Sequence, residues 1–293
     1  MTAVLLATLA ALSYGASDFT GALASKETEP ALVTVAMQVV SLAALVVMVL
    51  IFPPAERTMV DLAWGGLAGL GAAFGLTTFY RALALGPMST AAALTALVSA
   101  ALPVMAGLAL GDEVPAITLV GISIAVPAAV LVSAAGSGMH GASNTTPRER
   151  VVARRDQNRT RALSVAAGVG FAVFFVALSR TSEDAGLYPL LGARVASIAA
   201  LSLTLTLSHR WAPIARHLWP IIIVTGLLDF AANSLYLLAV REGSLTWVAA
   251  ISSLYPISTV LLARIVLGER LTRVQIAGFS MAGVALALVA IGA

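Results

Sequence analysis

Gly86, Gly111 and Gly121 recur at one constant step along the chain, as Gly243, Gly268 and Gly278. The step is 157 residues, and at the same step Ala92, Ala93, Leu97, Ala106, Leu110, Ser123, Ala125, Leu131 and Val132 meet identical residues. At a step of 156, Val39, Ser41, Ala43, Ala44 and Leu45 match Val195, Ser197, Ala199, Ala200 and Leu201, and Tyr80 matches Tyr236. Gly69 and Leu70 match Gly226 and Leu227. A chain duplicated in this way sets two similar halves against each other. Paired halves are how many transporters frame a central site.

The solvent of those halves follows from charge. Of 293 residues, 59% are apolar and only 11% are charged, against about 25% in a water-soluble domain. Most of the surface must therefore face the lipid bilayer. Backbone groups in lipid have to satisfy one another, so helices are expected. The segments lack the ~10-residue alternation of a lipid-facing barrel. The many glycines and alanines suit close helix packing. With no cysteine in the chain, disulfides and thiolate chemistry are excluded. His140, His209 and His217 fall at loops or helix ends without metal-ligand spacing, so neither a metal nor any other cofactor is expected. The first apolar stretch has no basic residue before it, and Asp18 interrupts the region where cleavage would be sought. It reads as a membrane helix that stays, not as a signal peptide.

Ten hydrophobic segments are expected, most long enough for the ~20 residues a helix needs to cross. The first five are Ala3–Leu23, Ala31–Phe52, Leu62–Leu85, Met88–Leu110 and Ala116–Ala135. The second five are Ala162–Arg180, Gly186–Ser208, Leu218–Val240, Ser244–Leu267 and Arg273–Ile291. The domain reading is a first repeat over 1–135, an Arg-rich linker over 136–161 and a second repeat over 162–293. Gly86-Pro87 and Glu242-Gly243 read as tight reversals. Pro103, Pro127 and Pro256 are expected to kink their helices. The linker carries Arg148, Arg150, Arg154, Arg155, Arg159 and Arg161 and reads as an orientation signal, not as a nucleic-acid-binding arm. Its side of the membrane holds 13 basic residues and the other side Arg57, Arg180 and Arg241. The positive-inside rule then puts the linker in the cytoplasm and both termini outside.

Five helices per half is an odd number, so the halves insert with opposite orientation. The expected fold is thus an all-α integral membrane protein, about ten transmembrane helices in a 5+5 inverted repeat. Gly111-Asp112-Glu113 and Gly268-Glu269-Arg270, each followed by a glycine ten residues on, together with Ser253-Leu254-Tyr255-Pro256 and Tyr14-Gly15-Ala16-Ser17, resemble the EamA-type family of the drug/metabolite transporter superfamily. The resemblance covers essentially the whole chain. It implies a central cavity and the movement of small metabolites, often outward, across the cell membrane. Ser99 stands in the first half where the second has Pro256, a departure from the family's pairing. Family members also commonly keep both termini in the cytoplasm, opposite to the charge count, and both orientations stand at this point.

A charge at mid-membrane costs at least ~2.5–3.5 kcal/mol on insertion scales, so each one asks for a partner or water. Asp229 lies near the middle of the eighth segment, with Asn233 and Tyr236 on its face at i+4 and i+7. This face is a candidate cavity wall, with Asp229 binding a cationic group or a coupling proton; the bland alternative is a carboxylate locked to a neighbouring helix. Arg194, whose repeat partner is Gln38, either pairs with Asp229, faces an anionic substrate, or snorkels to the headgroups. Tyr14 and Asp18 share a face of the first segment, where plain solvation competes with ligand binding. Thr78 sits beside Arg81 on the third. Thr95 and Ser99, Ser252 and Pro256, and Tyr255 complete the candidates, with helix packing as the alternative for the hydroxyls. Phe171, Phe174 and Phe175 either wall a cavity, or face lipid or pack in the core.

The functional reading is a secondary transporter of a small-molecule substrate, with no Walker A sequence to couple it to nucleotide. An intramembrane enzyme is the rival, but it would need a nucleophile with a base, and no histidine lies mid-helix. A channel would show rings of charge or a filter loop.

Overall fold

The computed structural model describes residues 1–85, 88–134, 147–267 and 272–292. The Gly86-Pro87 turn, the glycine-rich start of the linker and Gly268-Glu269-Arg270 lie outside the described residues. Among the described residues, helices are the only regular structure: α1 (Thr2–Ala24), α2 (Pro30–Ile51), α3 (Met59–Leu85), α4 (Met88–Ala109), α5 (Ala116–Ala134), α6 (Pro147–Ser179), α7 (Tyr188–Leu207), α8 (Trp219–Glu242), α9 (Leu245–Ser252), α10 (Tyr255–Leu267) and α11 (Arg273–Gly292). Among the described residues, seven stretches are long and apolar enough to cross a membrane, with α9 and α10 together forming one of them. Three shorter apolar stretches fall in α4, α5 and α11.

Proline marks several helix starts. Pro30, Pro189 and Pro220 occupy the first or second positions of α2, α7 and α8, where a missing N–H costs nothing and the fixed φ is already helical. Two boundaries differ from the sequence reading by more than a few residues. α6 begins at Pro147, inside the stretch read as linker, because the arginine-rich run is a good helix former. The ninth segment is not one kinked helix. It breaks at Ser253-Leu254, and Pro256 becomes the second residue of α10. Proline has no N–H for the carbonyl one turn back and clashes with it, so the helix restarts. Leu254 and Ile257 bridge the break by donating to the carbonyls of Ile251 and Leu254, both at 3.0 Å. Pro103 and Pro127, by contrast, lie inside α4 and α5.

The helices pack so that each half is laced into the other. α3 lies on α6 and α7, α8 lies on α1 and α2, and α5 pairs with α11. Gly69 of α3 presses on the Ala193 backbone of α7, and Gly226 of α8 presses on the Met37 carbonyl of α2. Gly69 and Gly226 are repeat partners, as are Met37 and Ala193, so the duplication in sequence reappears as a duplicated contact. Any side chain at either glycine would collide with backbone, which is why the two helix pairs approach so closely. The core holds alanines together with Tyr236, Leu237, Val248 and Ile251. Leu5, Leu9, Val47, Leu50, Phe74, Val195, Leu203 and Leu227 point outward and stay exposed, the reverse of a water-soluble surface.

Candidate functional site

A polar chain crosses the interior between α1, α7 and α8. Arg194 of α7 is only 5% exposed, and its Nη2 lies 2.6 Å from Asp229 Oδ2. Asn233, one turn along α8, donates through Nδ2 to Asp229 Oδ1 at 3.0 Å and to the Asp229 carbonyl at 2.6 Å. Tyr14 of α1 donates its hydroxyl to Asn233 Oδ1 at 2.9 Å. The i, i+4 spacing on α8 thus aligns two side chains, and the neighbouring helices supply the other two. Of the alternatives for Arg194, the structure has the ion pair with Asp229, not snorkelling.

These four residues border a recess of about 90 Å³, together with Ser17 and Asp18 of α1, Gln38 of α2, Phe79 of α3, Ser99 of α4, three phenylalanines of α6 and Tyr255 of α10. A wider vestibule of about 560 Å³ adjoins it and shares Leu76 as a wall. Thr34, Thr77, Arg81, Arg159 and Arg210 line the vestibule on the linker's side, and Arg210 is held by Glu29 at 3.3 Å.

Phe171, Phe174 and Phe175 are cavity walls. Phe175 contacts Tyr14 edge-on, with ring centroids 6.1 Å apart, and lies against Tyr236 at 4.6 Å. Tyr236 itself sits behind that wall, fully buried, its hydroxyl 3.4 Å from the Phe175 carbonyl. Thr78 is buried and bonds its own helix through the carbonyls of Phe74 and Gly75. Ser252 is buried near the α9–α10 break and does not border the recess. The structure therefore gathers Tyr14, Asp18, Arg194, Asp229, Asn233 and Tyr255 around one space and leaves Tyr236, Thr78 and Ser252 as packing. Gln38 and Phe79 are among the additions. Gln38 was visible as the repeat partner of Arg194; nothing in the sequence marks Phe79.

The two motifs Tyr14-Gly15-Ala16-Ser17 and Ser253-Leu254-Tyr255-Pro256 meet. Gly15 lets α1 rest on the first turn of α10. Thr259 donates to the Gly15 carbonyl at 3.1 Å, and Ser258 to the Ala11 carbonyl at 3.2 Å. This contact fixes the height of Asp18, one turn beyond Tyr14.

The opposite end is fastened by two carboxylates. Asp61 opens α3 in a capping arrangement with Thr58. It also receives the Ser182 N–H at 2.8 Å and the Ser182 hydroxyl at 2.9 Å. Asp112 follows Gly111, whose φ of +95° ends α4 in a Schellman turn, with the Asp112 N–H on the Gly107 carbonyl at 3.0 Å. The turn aims Asp112 at the start of α9, where its Oδ2 accepts from the Thr246 N–H at 2.9 Å and the Thr246 hydroxyl at 2.6 Å.

A family model described as the EamA-like transporter family matches residues 1–134 and 160–291. No curated protein matches. A solved structure described as "Crystal structure of protein" superposes with a TM-score of 0.78, over 99% of this chain and 96% of its own. At 17% identity, that is a likeness of fold.

Proposed function

The chain belongs to the EamA-like transporter family, and from that premise we propose that it is a secondary transporter exporting small organic metabolites across the cell membrane. Two inverted five-helix repeats, 1–135 and 162–293, alternate access to a central cavity between them. The observation that carries this reading is the buried Arg194–Asp229 pair, set in a recess that adjoins a vestibule on the linker's side. A buried ion pair seldom repays its desolvation as a structural device. At the edge of a cavity it can be broken and re-formed as a solute or proton arrives, which is what coupling requires. The duplicated glycine contacts and the two matched stretches of the family model support two equivalent halves. Open vestibule at one end and carboxylate fastenings at the other support one end state of an alternating cycle.

Counterflow of a metabolite panel in proteoliposomes tests the proposal. We expect at least one solute to exchange, and Asp229→Asn and Arg194→Gln to lower that exchange at least tenfold. Exchange of nothing, or variants that match the parent, would sink it. If Asp229 also carries a coupling proton, an imposed pH gradient drives accumulation in the parent and not in Asp229→Asn.

A further inference from the structure

The recess holds two carboxylates and one guanidinium, and they are not equivalent. Asp229 is engaged twice, by Arg194 at 2.6 Å and by Asn233 at 3.0 Å. Asp18 borders the same recess, is exposed to it, and has no hydrogen bond or ion pair among the described residues. With both carboxylates ionised, one negative charge has no counter-charge among the described residues, in a helix apolar enough to span the membrane. The chain itself supplies nothing to neutralise it there. Gln38 is a second unsatisfied group on the same wall system: it is 1% exposed, and its Oε1 meets no donor.

The other walls are of a different kind. Phe171, Phe174 and Phe175 of α6 present aromatic surface to the same recess. The recess thus offers both an unpartnered carboxylate and aromatic rings. An anion entering it would add a charge of the same sign as the surplus. A neutral solute would bring Asp18 no counter-charge. A cation with an apolar body suits both, its charge on the carboxylate and its body, or its charged head, on the rings.

We propose that the recess takes a monovalent organic cation, a protonated amine on an aromatic or aliphatic body, and that Asp18 holds its charge. This deepens the transporter reading and rests on it. Asp229 then keeps Arg194 in place, and Asp18 is the group that selects.

Isothermal titration on the purified, lipid-reconstituted protein tests this with three probes of one shape: 2-phenylethylamine, 2-phenylacetamide and phenylacetate. We expect the amine to bind at least tenfold more tightly than the amide, and phenylacetate to bind most weakly. Asp18→Asn should bring the amine to the level of the amide, and Asp18→Glu should keep the preference. Both variants replace an exposed side chain, and a monodisperse elution profile checks that they fold. No preference in the parent, a preference that survives Asp18→Asn, or binding of none of the probes overturns the proposal. Counterflow separates the two readings. Exchange confined to neutral or anionic solutes overturns the cation site and leaves the transporter. An amine that binds through Asp18 while no solute is exchanged overturns the transporter and leaves the site.

Discussion

Arg194 and Asp229 stand 2.6 Å apart on α7 and α8, and neither has a charged counterpart in the other half, where the repeat positions are Gln38 and Ala72. The pair is thus an addition to the duplicated frame.

Removing one member leaves the other charged and buried, which costs about 3–5 kcal/mol. Arg194→Gln and Asp229→Asn should each lower the melting temperature in detergent by several degrees. The double variant should be no less stable than the worse single one, since no charge is then left alone. A double variant that loses the sum of both would show that the two side chains act independently.

Asp112 caps the start of α9 from the end of α4, and losing such a cap costs about 0.5–2 kcal/mol. The chain has no cysteine, so Ser99→Cys on the recess wall can report on access alone. In the parent background a membrane-impermeant thiol reagent should reach it from the linker's side. Adding Asp112→Ala should raise labelling from the opposite side. Unchanged labelling from that side would mean that the contact fastens nothing.

Gly69→Val and Gly226→Val should destabilise by similar amounts, on the order of 1–3 kcal/mol each, since overpacking forces backbone apart at equivalent helix crossings. Thermal unfolding in detergent measures it. A large effect at one position and none at the other would break the equivalence of the two contacts.

The count of basic residues carries one of the two orientations, and it can be tested. An alkaline phosphatase fusion at the C-terminus should be active, and a fluorescent protein inserted in the linker should fluoresce, as expected for a cytoplasmic linker. The reverse pattern would mean that the family's usual orientation overrides the charge count.

The spans were legible because lipid imposes a single, simple condition on the chain: α1, α2 and α5 start and stop within a residue or so of the apolar runs. The inward face of α8 was legible too, since Asp229 and Asn233 share it by spacing alone. What was not legible depended on partners. Tyr236 shares that face, but Phe175 covers it. Phe171, Phe174 and Phe175 read as core or cavity alike until α1 and α3 are in place. The Asp112–Thr246 bond joins residues 134 positions apart; only the glycine before Asp112 hinted that the turn had a fixed direction. Pro256 marked a disturbance in the ninth segment, yet not that the helix would stop and restart.

That restart is present on one side only. α4 runs unbroken through Ser99, whereas its counterpart is cut at Ser253-Leu254 into two shorter rods. Two leaves of a hinge with unequal stiffness do not trade places at equal cost. If the halves exchange shapes as proposed, the cycle is lopsided: the empty protein has a preferred idle face, and the solute's task is to lift it out of that rest.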